Sequence, residues 1–588
     1  MLFFISVLNL NTDFYFFVEE FFIAFFFAFA LFFFIFYSLQ IVLPRFSKKI
    51  ESFLFFVNLF FCLVNLFLIV NFDTILNSYT IDIILTTHST REIKEFFTFY
   101  MDFKNIFILL SFLIFGIIIY KLPFQIKFPE KLNLIFYFIF PIVFIKNYIE
   151  HEADVDKLLP DVLILKNING IFAPFNQDRD VFVFKDNMEK IEKFVQEKKK
   201  IPNYIQMETS IPKIVLIIGE STNRNYMSLY DYPLNTTPRL KELEQKGNLF
   251  VFKDVISPAT YTNAVFHTLL NFGNNTDLVA NKHIQLGNDK FRIIFWESYL
   301  NLIDAMRFLN YHTSWFSNQE AISIWGNIEQ ALAQRSDLLR YLSLQQARDI
   351  VNTKYGRKDG ELLNLYSQAQ FPEKQNQFIV FHLMGTHFDY QARYPSDFEF
   401  FKPEHLKEKG LDKTLWLNTA KINKPLGKKE LQRRAQYINA VYYNDFVVSK
   451  IMQHFENEES IVFYLSDHSQ NVYDDEHGAV GHSAHAYPSR VLVEIPFMIY
   501  TSKLFQEKHP HIMEKIKKNL NKPFMTDDFI HAFMDLLNIQ CLDLKPELSL
   551  FNSKYIIKDR LYGNENLRNY DQVFVRREFV KKYEHKEN

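Results

Sequence analysis

The sequence predicts an α-helical transmembrane region followed by an α/β domain with a mostly parallel sheet. Two observations lead to this prediction. The first 150 of the 588 residues hold long, almost purely apolar segments, whereas short apolar runs alternate with polar, helix-like stretches from residue 211 onward. The chain is too long for one ordinary domain, since domains usually hold about 100–200 residues.

The composition excludes several classes of protein. Lys and Arg number 65 and Asp and Glu number 67, which leaves a formal charge of −2. A nucleic-acid partner is therefore not expected, because such proteins usually carry a basic surplus. With two cysteines, Cys62 and Cys541, the chain cannot build a disulfide framework or a Cys-rich metal cluster.

Four apolar segments are candidates for membrane spans, namely residues 21–37, 53–72, 106–120 and 132–145. A spanning helix needs about 17–25 residues, which the first two segments have and the last two reach with their flanks. Residues 2–10 are apolar but too short to span. The number of spans thus stays open between four and five.

The charges between these segments orient them. The connectors after the first and third candidates each carry three basic residues against one acid, whereas residues 1–20 carry three acids and no base. Because Lys and Arg are retained on the cytoplasmic side, the chain after about residue 150 is expected on the outer side. We divide it into a transmembrane domain (1–150), bridging helices (151–210), an outer domain (211–565) and a tail (566–588).

Six short apolar runs predict strands in the outer domain: 214–218, 249–252, 313–316, 378–381, 461–465 and 495–500. Runs rich in Val, Ile and Phe, separated by helical patterns, are typical of a parallel sheet covered on both faces. Ligand sites in such sheets lie at the carboxyl ends of the strands. Four of these runs are followed by carboxylates, imidazoles or hydroxyls.

Three of those polar residues suit a zinc ion. Glu220 follows the first run, and Asp467 and His468 follow the fifth. Three protein ligands and one open position are the pattern of a catalytic zinc site, and a hydroxyl in the open position becomes a better nucleophile. Taken alone, an Asp-His pair is more often a hydrogen-bonding pair, and Gly-Glu-Ser is more often a helix cap. Their coincidence at strand ends favours the metal site.

Seven short blocks together resemble the phosphoethanolamine transferases of the bacterial envelope, and most closely the type that decorates lipopolysaccharide core sugars. The blocks are residues 217–224, 227–233, 235–238, 257–263, 314–319, 382–387 and 465–468. The resemblance implies an α/β/α alkaline-phosphatase-like (sulfatase-like) domain in the periplasm, joined to helices in the inner membrane.

The resemblance also implies the metal ligands and the nucleophile. Glu220, Asp467 and His468 match zinc ligands. Thr262 matches the nucleophilic threonine that shares the metal, with Thr260 as the alternative.

Further residues gain roles in the same way. His387 and His482 match histidines near the transferred phosphate or an auxiliary metal, and His485 or His477 could replace His482 because loop length varies there. Asn318, Gln319 and Asn263 are implied as substrate contacts, with a simple turn as the alternative for the first two. For His382, inside or at the end of a run, we expect a packed core histidine.

The implied reaction has two halves. Phosphatidylethanolamine gives its phosphoethanolamine to Thr262, and an envelope acceptor, lipopolysaccharide core or lipid A, then takes it. One zinc ion is expected, and a second, auxiliary ion stays open because Asp467-His468 continue as Ser469-Gln470 where the family has Gly-Glu. We expect a monomer.

Two competing hypotheses remain. One is a related transferase of the teichoic-acid type that moves glycerophosphate, or another sulfatase-like phosphotransferase. A sulfatase is disfavoured, because the Cys/Ser-x-Pro-x-Arg setting of its modified nucleophile is missing. The other is a non-catalytic envelope scaffold, against which the intact Glu220, Thr262, Asp467 and His468 argue.

Overall fold

The computed structural model describes residues 45–72, 101, 103–121, 183–274, 296–319, 328–342, 358–413, 416–417, 425–474, 480–481, 490–563, 567–572 and 576–577. They fall into two compact units. Residues 45–72 and 101–121 belong to the first unit, and the described residues from 183 onward belong to the second.

The described residues of the first unit form two apolar helices, α1 (Ser47–Phe72) and α2 (Phe103–Lys121). They run antiparallel, because Ser52 near the start of α1 shares a 2.7 Å hydrogen bond with Tyr120 near the end of α2, and Leu59, further along α1, lies beside Gly116, which precedes Tyr120 in α2. Within α1, Lys48–Leu68 is long and apolar enough to cross a membrane, and α2 holds a shorter apolar stretch, Asn105–Ile118. These helices cover the second and third predicted spans, and the segments 21–37 and 132–145 lie outside the described residues.

The second unit is built around one seven-stranded sheet. Its strands in chain order are β1 (Lys213–Gly219), β2 (Leu249–Phe252), β3 (His312–Ser317), β4 (Leu338–Tyr341), β5 (Gln377–His382), β6 (Ser460–Ser466) and β7 (Phe497–Thr501). The spatial order is β2-β7-β6-β1-β5-β3-β4. β7 runs antiparallel to both of its neighbours and all other pairs are parallel, which confirms the predicted mostly parallel sheet.

Helices and short strands surround this sheet. The helices are α3 (Val183–Lys199), α4 (Pro238–Gln245), α5 (Thr262–Phe266), α6 (Leu302–Phe308), α7 (Ile328–Ala333), α8 (Leu362–Ser367), α9 (Pro403–Glu408), α10 (Lys428–His454), α11 (Lys503–Lys508), α12 (Pro510–Lys518) and α13 (Phe529–Leu536). The short strand pairs are Ile205–Met207 with Ile539–Cys541, Val255–Ile256 with Phe524–Met525, Asn471–Val472 with Val480–Gly481, Leu561–Tyr562 with Arg568–Asn569, and Trp416–Leu417 with Arg576–Arg577.

The strand sequences lack alternation because both faces of the sheet are covered. All five residues 214–218 of β1 are completely buried. On one face, Phe463 of β6 packs against Phe533 of α13 with ring centroids 5.0 Å apart. On the other face, Tyr464 receives a 2.8 Å hydrogen bond from Asn444 of α10.

All six predicted strands lie in this sheet, with two differences at its margins. The last strand begins at Phe497 rather than residue 495, since Pro496 has no N–H to donate to a ladder. The sequence pattern misses β4, which is an edge strand in the described part of the sheet and pairs there with β3 alone, because Leu338, Leu339 and Arg340 are not buried. Neither difference moves the strand ends that carry the site.

Candidate metal centre

Three predicted ligands meet at the carboxyl ends of the two central strands. β1 and β6 are adjacent and parallel, and their register pairs Gly219 with Ser466, so Glu220 and Asp467 leave the sheet side by side. The His468 Nε2 atom lies 3.2 Å from Glu220 Oε1 and 3.4 Å from Asp467 Oδ2. One ligand atom from each residue fits within 4.8 Å, and all three side chains are buried.

The electrostatics of this cluster fit a cation. Burial and the nearby Glu220 carboxylate raise the pKa of Asp467 well above its usual range. Burial alone would lower the pKa of His468, but Asp467 and Glu220 raise it to about 9. Without a metal the cluster therefore retains protons, which a divalent cation would displace.

Hydrogen bonding leaves the ligand atoms available. Among the described residues, Asp467 Oδ2 is buried and has no hydrogen-bond partner. The His468 Nδ1 atom lies 2.8 Å from the Ser469 carbonyl oxygen, so a proton on Nδ1 directs Nε2 toward the carboxylates. Two carboxylate oxygens and one imidazole nitrogen are a donor set that Zn²⁺ accepts.

The hydroxyl of Thr262 faces the same three ligands. Thr262 is the first residue of α5, and its Oγ1 donates a 3.1 Å hydrogen bond to Glu220 Oε2. The same oxygen lies 3.4 Å from His468 Nε2. This geometry favours Thr262 over Thr260 as the hydroxyl that would share a bound metal.

Of the predicted substrate contacts, Gln319 shares the Glu220 Oε2 atom with the Thr262 hydroxyl. Gln319 donates a 2.8 Å hydrogen bond to the Leu383 carbonyl, and its Nε2 also lies 3.4 Å from Glu220 Oε2. Asn318 donates to Asp359 at 2.7 Å, which occupies one of its amide hydrogens. The side-chain carbonyls of Asn263 and Asn318 are buried and lack hydrogen-bond partners within the part of the chain that the structure describes.

The histidines divide into three cases. His387 lies on the loop after β5, where the N–H of the preceding Thr386 donates to the Glu220 carbonyl at 2.9 Å. His482 and its alternatives His485 and His477 lie outside the described residues. His382 is buried against Trp315 and Phe266, and burial lowers its pKa to about 4, as expected for a packed histidine.

The sequence analysis did not identify Asp359, which hydrogen-bonds both Asn318 and the loop after β5. Its carboxylate accepts hydrogen bonds from Asn318 Nδ2 at 2.7 Å and from the N–H groups of Met384 and Gly385 at 2.9 and 2.8 Å. Burial raises its pKa. In the sequence it stands in Lys-Asp-Gly, which is typical of an ordinary turn.

Gly385 allows the loop after β5 to approach Glu220, one of the predicted ligands. Its φ of +51° suits glycine, and a Cβ there would lie 2.6 Å from the Glu220 carbonyl oxygen. This close packing fixes the backbone of Glu220 from the side opposite Asp467.

The chain is similar in sequence to a known protein family and to named relatives. The family model described as Sulfatase matches residues 212–539. Phosphoethanolamine transferase EptC of Escherichia coli K12 is 24% identical over 497 residues, which cover 82% of this chain and 78% of that protein. Phosphoethanolamine transferase EptA of Helicobacter pylori is 26% identical over 452 residues, 75% of this chain and 74% of that one.

The chain is also similar in fold to solved structures of two phosphoethanolamine transferases. The C-terminal periplasmic domain of EptC from Escherichia coli, in complex with Zn, is 27% identical with a TM-score of 0.51 and covers 63% of this chain and 96% of that one. Lipooligosaccharide phosphoethanolamine transferase A from Neisseria meningitidis, an integral membrane protein, shares the fold at 17% identity and a TM-score of 0.59, covering 89% and 90%.

Proposed function

Because the chain belongs to the sulfatase family, we propose that it is a phosphoethanolamine transferase of the bacterial envelope. Relatives that carry this name cover most of the chain. The observation that carries the proposal is the Thr262 hydroxyl, 3.1 Å from Glu220 Oε2 and 3.4 Å from His468 Nε2. A nucleophilic oxygen beside a buried zinc-type ligand set is what a covalent transfer mechanism requires.

The residues would act as follows. Glu220, Asp467 and His468 would hold one zinc ion, which supplies acidification of a hydroxyl and neutralisation of phosphate charge. Thr262 Oγ1 loses its proton and attacks the phosphorus of phosphatidylethanolamine. The bond from phosphorus to the glycerol oxygen breaks, and diacylglycerol leaves with a proton. An oxygen of the acceptor then attacks the phosphoethanolamine on Thr262 and restores the hydroxyl.

The surrounding side chains would orient the phosphate. Gln319 and Asn263 adjoin the nucleophile, and Asn318 is held from behind by Asp359. His387 and His482 are assigned to the phosphate oxygens, whose negative charge grows in both steps. An auxiliary second ion would need ligands beyond the three residues that meet here.

A lipid donor explains the membrane segments. We propose a multi-pass inner-membrane protein with four or five spans in residues 1–150, a bridge at 151–210, a periplasmic catalytic domain at 211–565 and a tail at 566–588. The apolar helix α1 supports this arrangement. The donor would enter from the outer leaflet, and the acceptor would be lipopolysaccharide core or lipid A. The enzyme would act as a monomer.

Mass spectrometry of the full chain in detergent, after incubation with zinc and an equimolar mixture of phosphatidylethanolamine and phosphatidylglycerol, tests this function. We expect a phosphoethanolamine adduct on Thr262 that disappears in Thr262→Ala and persists in Thr260→Ala. A glycerophosphate adduct formed from phosphatidylglycerol instead would indicate the teichoic-acid type of transfer. The absence of any adduct together with the absence of bound zinc would indicate a non-catalytic scaffold.

A further inference from the structure

The residue after the first metal ligand has an unusual backbone. Ser221 has a φ of +58°, in the left-handed region that residues other than glycine rarely adopt. This conformation turns the chain away from β1 directly after Glu220. It also directs the Ser221 N–H to Asp467 Oδ1 at 3.1 Å and the Ser221 hydroxyl to Glu220 Oε1 at 2.8 Å. One serine thus joins the two carboxylates of the site.

A tyrosine from a helix distant in sequence hydrogen-bonds to the backbone of this turn. The hydroxyl of Tyr437, on α10, accepts a hydrogen bond from the Asn223 N–H at 2.9 Å and donates one to the Ser221 carbonyl at 2.9 Å. Both backbone groups lie beyond the end of β1, and neither takes part in the ladders that the described strands form. The Tyr437 hydroxyl therefore links the two sides of the turn.

The ring of Tyr437 has little freedom to move. It is completely buried, and it packs edge-on between Tyr226 and Tyr390, with ring centroids 5.0 Å away on each side. The packing of the ring therefore fixes the position of its hydroxyl. Thr386 donates a second hydrogen bond to the Ser221 carbonyl at 2.8 Å, so the left-handed residue is held by two different elements.

We propose that Tyr437 is a positioning residue for the metal site: its hydroxyl holds Ser221 in the left-handed conformation and so aims the Glu220 carboxylate at Asp467 and His468. Tyr437 is not a ligand and acts through the turn. This inference rests on the proposed zinc site. Loss of a group that orients a metal ligand typically lowers metal affinity about 10- to 100-fold, and we expect a loss in this range for Tyr437→Phe.

The chain offers a matched control at the opposite end of the sheet. The hydroxyl of Tyr311 accepts a hydrogen bond from the Ile211 N–H at 2.9 Å and donates one to the Ile211 carbonyl at 2.9 Å. Tyr311 is also buried. Tyr311→Phe therefore removes the same kind of hydrogen-bond pair, but next to the amino end of β1, away from the ligands.

The test uses the full chain in detergent and measures zinc affinity by competition with a chromophoric chelator, alongside the unfolding temperature of the zinc-free protein. We expect both Phe variants to lower the unfolding temperature, and only Tyr437→Phe to weaken zinc binding. Equal zinc affinities for the two variants would overturn the inference. Failure of the unmodified chain to bind zinc would instead refute the metal site of the proposed function.

A second measurement tests the route through Ser221. Glycine adopts positive φ without strain. In the Ser221→Gly background, residue 221 therefore needs less help from the Tyr437 hydroxyl to stay in the left-handed conformation. There we expect Tyr437→Phe to weaken zinc binding by less than about 3-fold, compared with the about 10- to 100-fold loss expected when Ser221 is present. An equal loss in both backgrounds would show that Tyr437 does not act through Ser221 and would overturn the inference.

Discussion

Zinc affinity should rise steeply with pH because the ligands must lose protons. In the zinc-free protein, burial opposes the charged form of His468, but Asp467 and Glu220 outweigh it and raise the pKa of its imidazole to about 9. Zinc binding must then expel at least this one proton below that pH. Each proton expelled makes the apparent affinity rise about tenfold per pH unit, so the His468 proton alone makes it rise about 100-fold from pH 6.5 to 8.5.

The stability of the zinc-free protein should follow the opposite trend. The pKa of His468 is raised from 6.5 to about 9 in the folded state, so its contribution is complete below pH 6.5 and is lost as the pH rises to 9. A shift of this size corresponds to about 3 kcal/mol at most. The raised pKa of Asp467, caused by burial and by Glu220, acts in the same direction. The zinc-loaded protein should not show this loss.

The assay is chelator competition at several pH values, with the chelator calibrated separately at each one, alongside thermal unfolding with and without zinc. A zinc affinity that stays constant between pH 6.5 and 8.5 would show that the His468 imidazole is already neutral in the zinc-free protein and that its pKa is not raised. A zinc-free protein that gains stability over the same interval would show the same.

Three further predictions concern single side chains. Thr262→Ala should abolish the phosphoethanolamine adduct and Thr262→Ser should retain part of it, as read by intact mass; an adduct in Thr262→Ala would point to another nucleophile. Asp359→Asn should destabilise the fold by about 1–3 kcal/mol because two backbone N–H groups lose a charged acceptor, whereas the exposed Glu373→Gln should leave the unfolding temperature unchanged. Gly385→Ala should weaken zinc binding, since its Cβ would lie 2.6 Å from the Glu220 carbonyl oxygen. Gly410 has a similar φ, and no atom of the described residues lies within 4 Å of its Cβ position, so Gly410→Ala should lower stability alone. Equal zinc affinities for the two Ala variants would contradict the close approach at Gly385.

The meeting of Glu220, Asp467 and His468 could be predicted from sequence because it depends on short-range rules. Glu220, Asp467 and His468 directly follow buried strands, and adjacent parallel strands end at one edge of the sheet. Local sequence is enough to find such strands when both faces are buried. The edge strand β4 escaped for the converse reason, since three of its four residues are not buried.

The supporting residues could not be predicted in this way. Asp359 and Tyr437 are separated from the turns they hold by 25 and 216 positions, and neither stands in a recognisable motif. The left-handed conformation of Ser221 could not be predicted either, because serine at that position is typical of an ordinary helix cap. Such roles come from tertiary hydrogen bonds to backbone atoms, which leave no pattern in the sequence.

The proposed zinc site can be observed in a zinc anomalous difference map from crystals of the full chain. We expect one strong peak bounded by Glu220, Asp467 and His468, with Thr262 Oγ1 as the fourth ligand at about 2.0 Å. A peak elsewhere, or a Thr262 side chain turned away from the ion while Thr260 contacts it, would show that the metal site or its nucleophile is wrongly assigned.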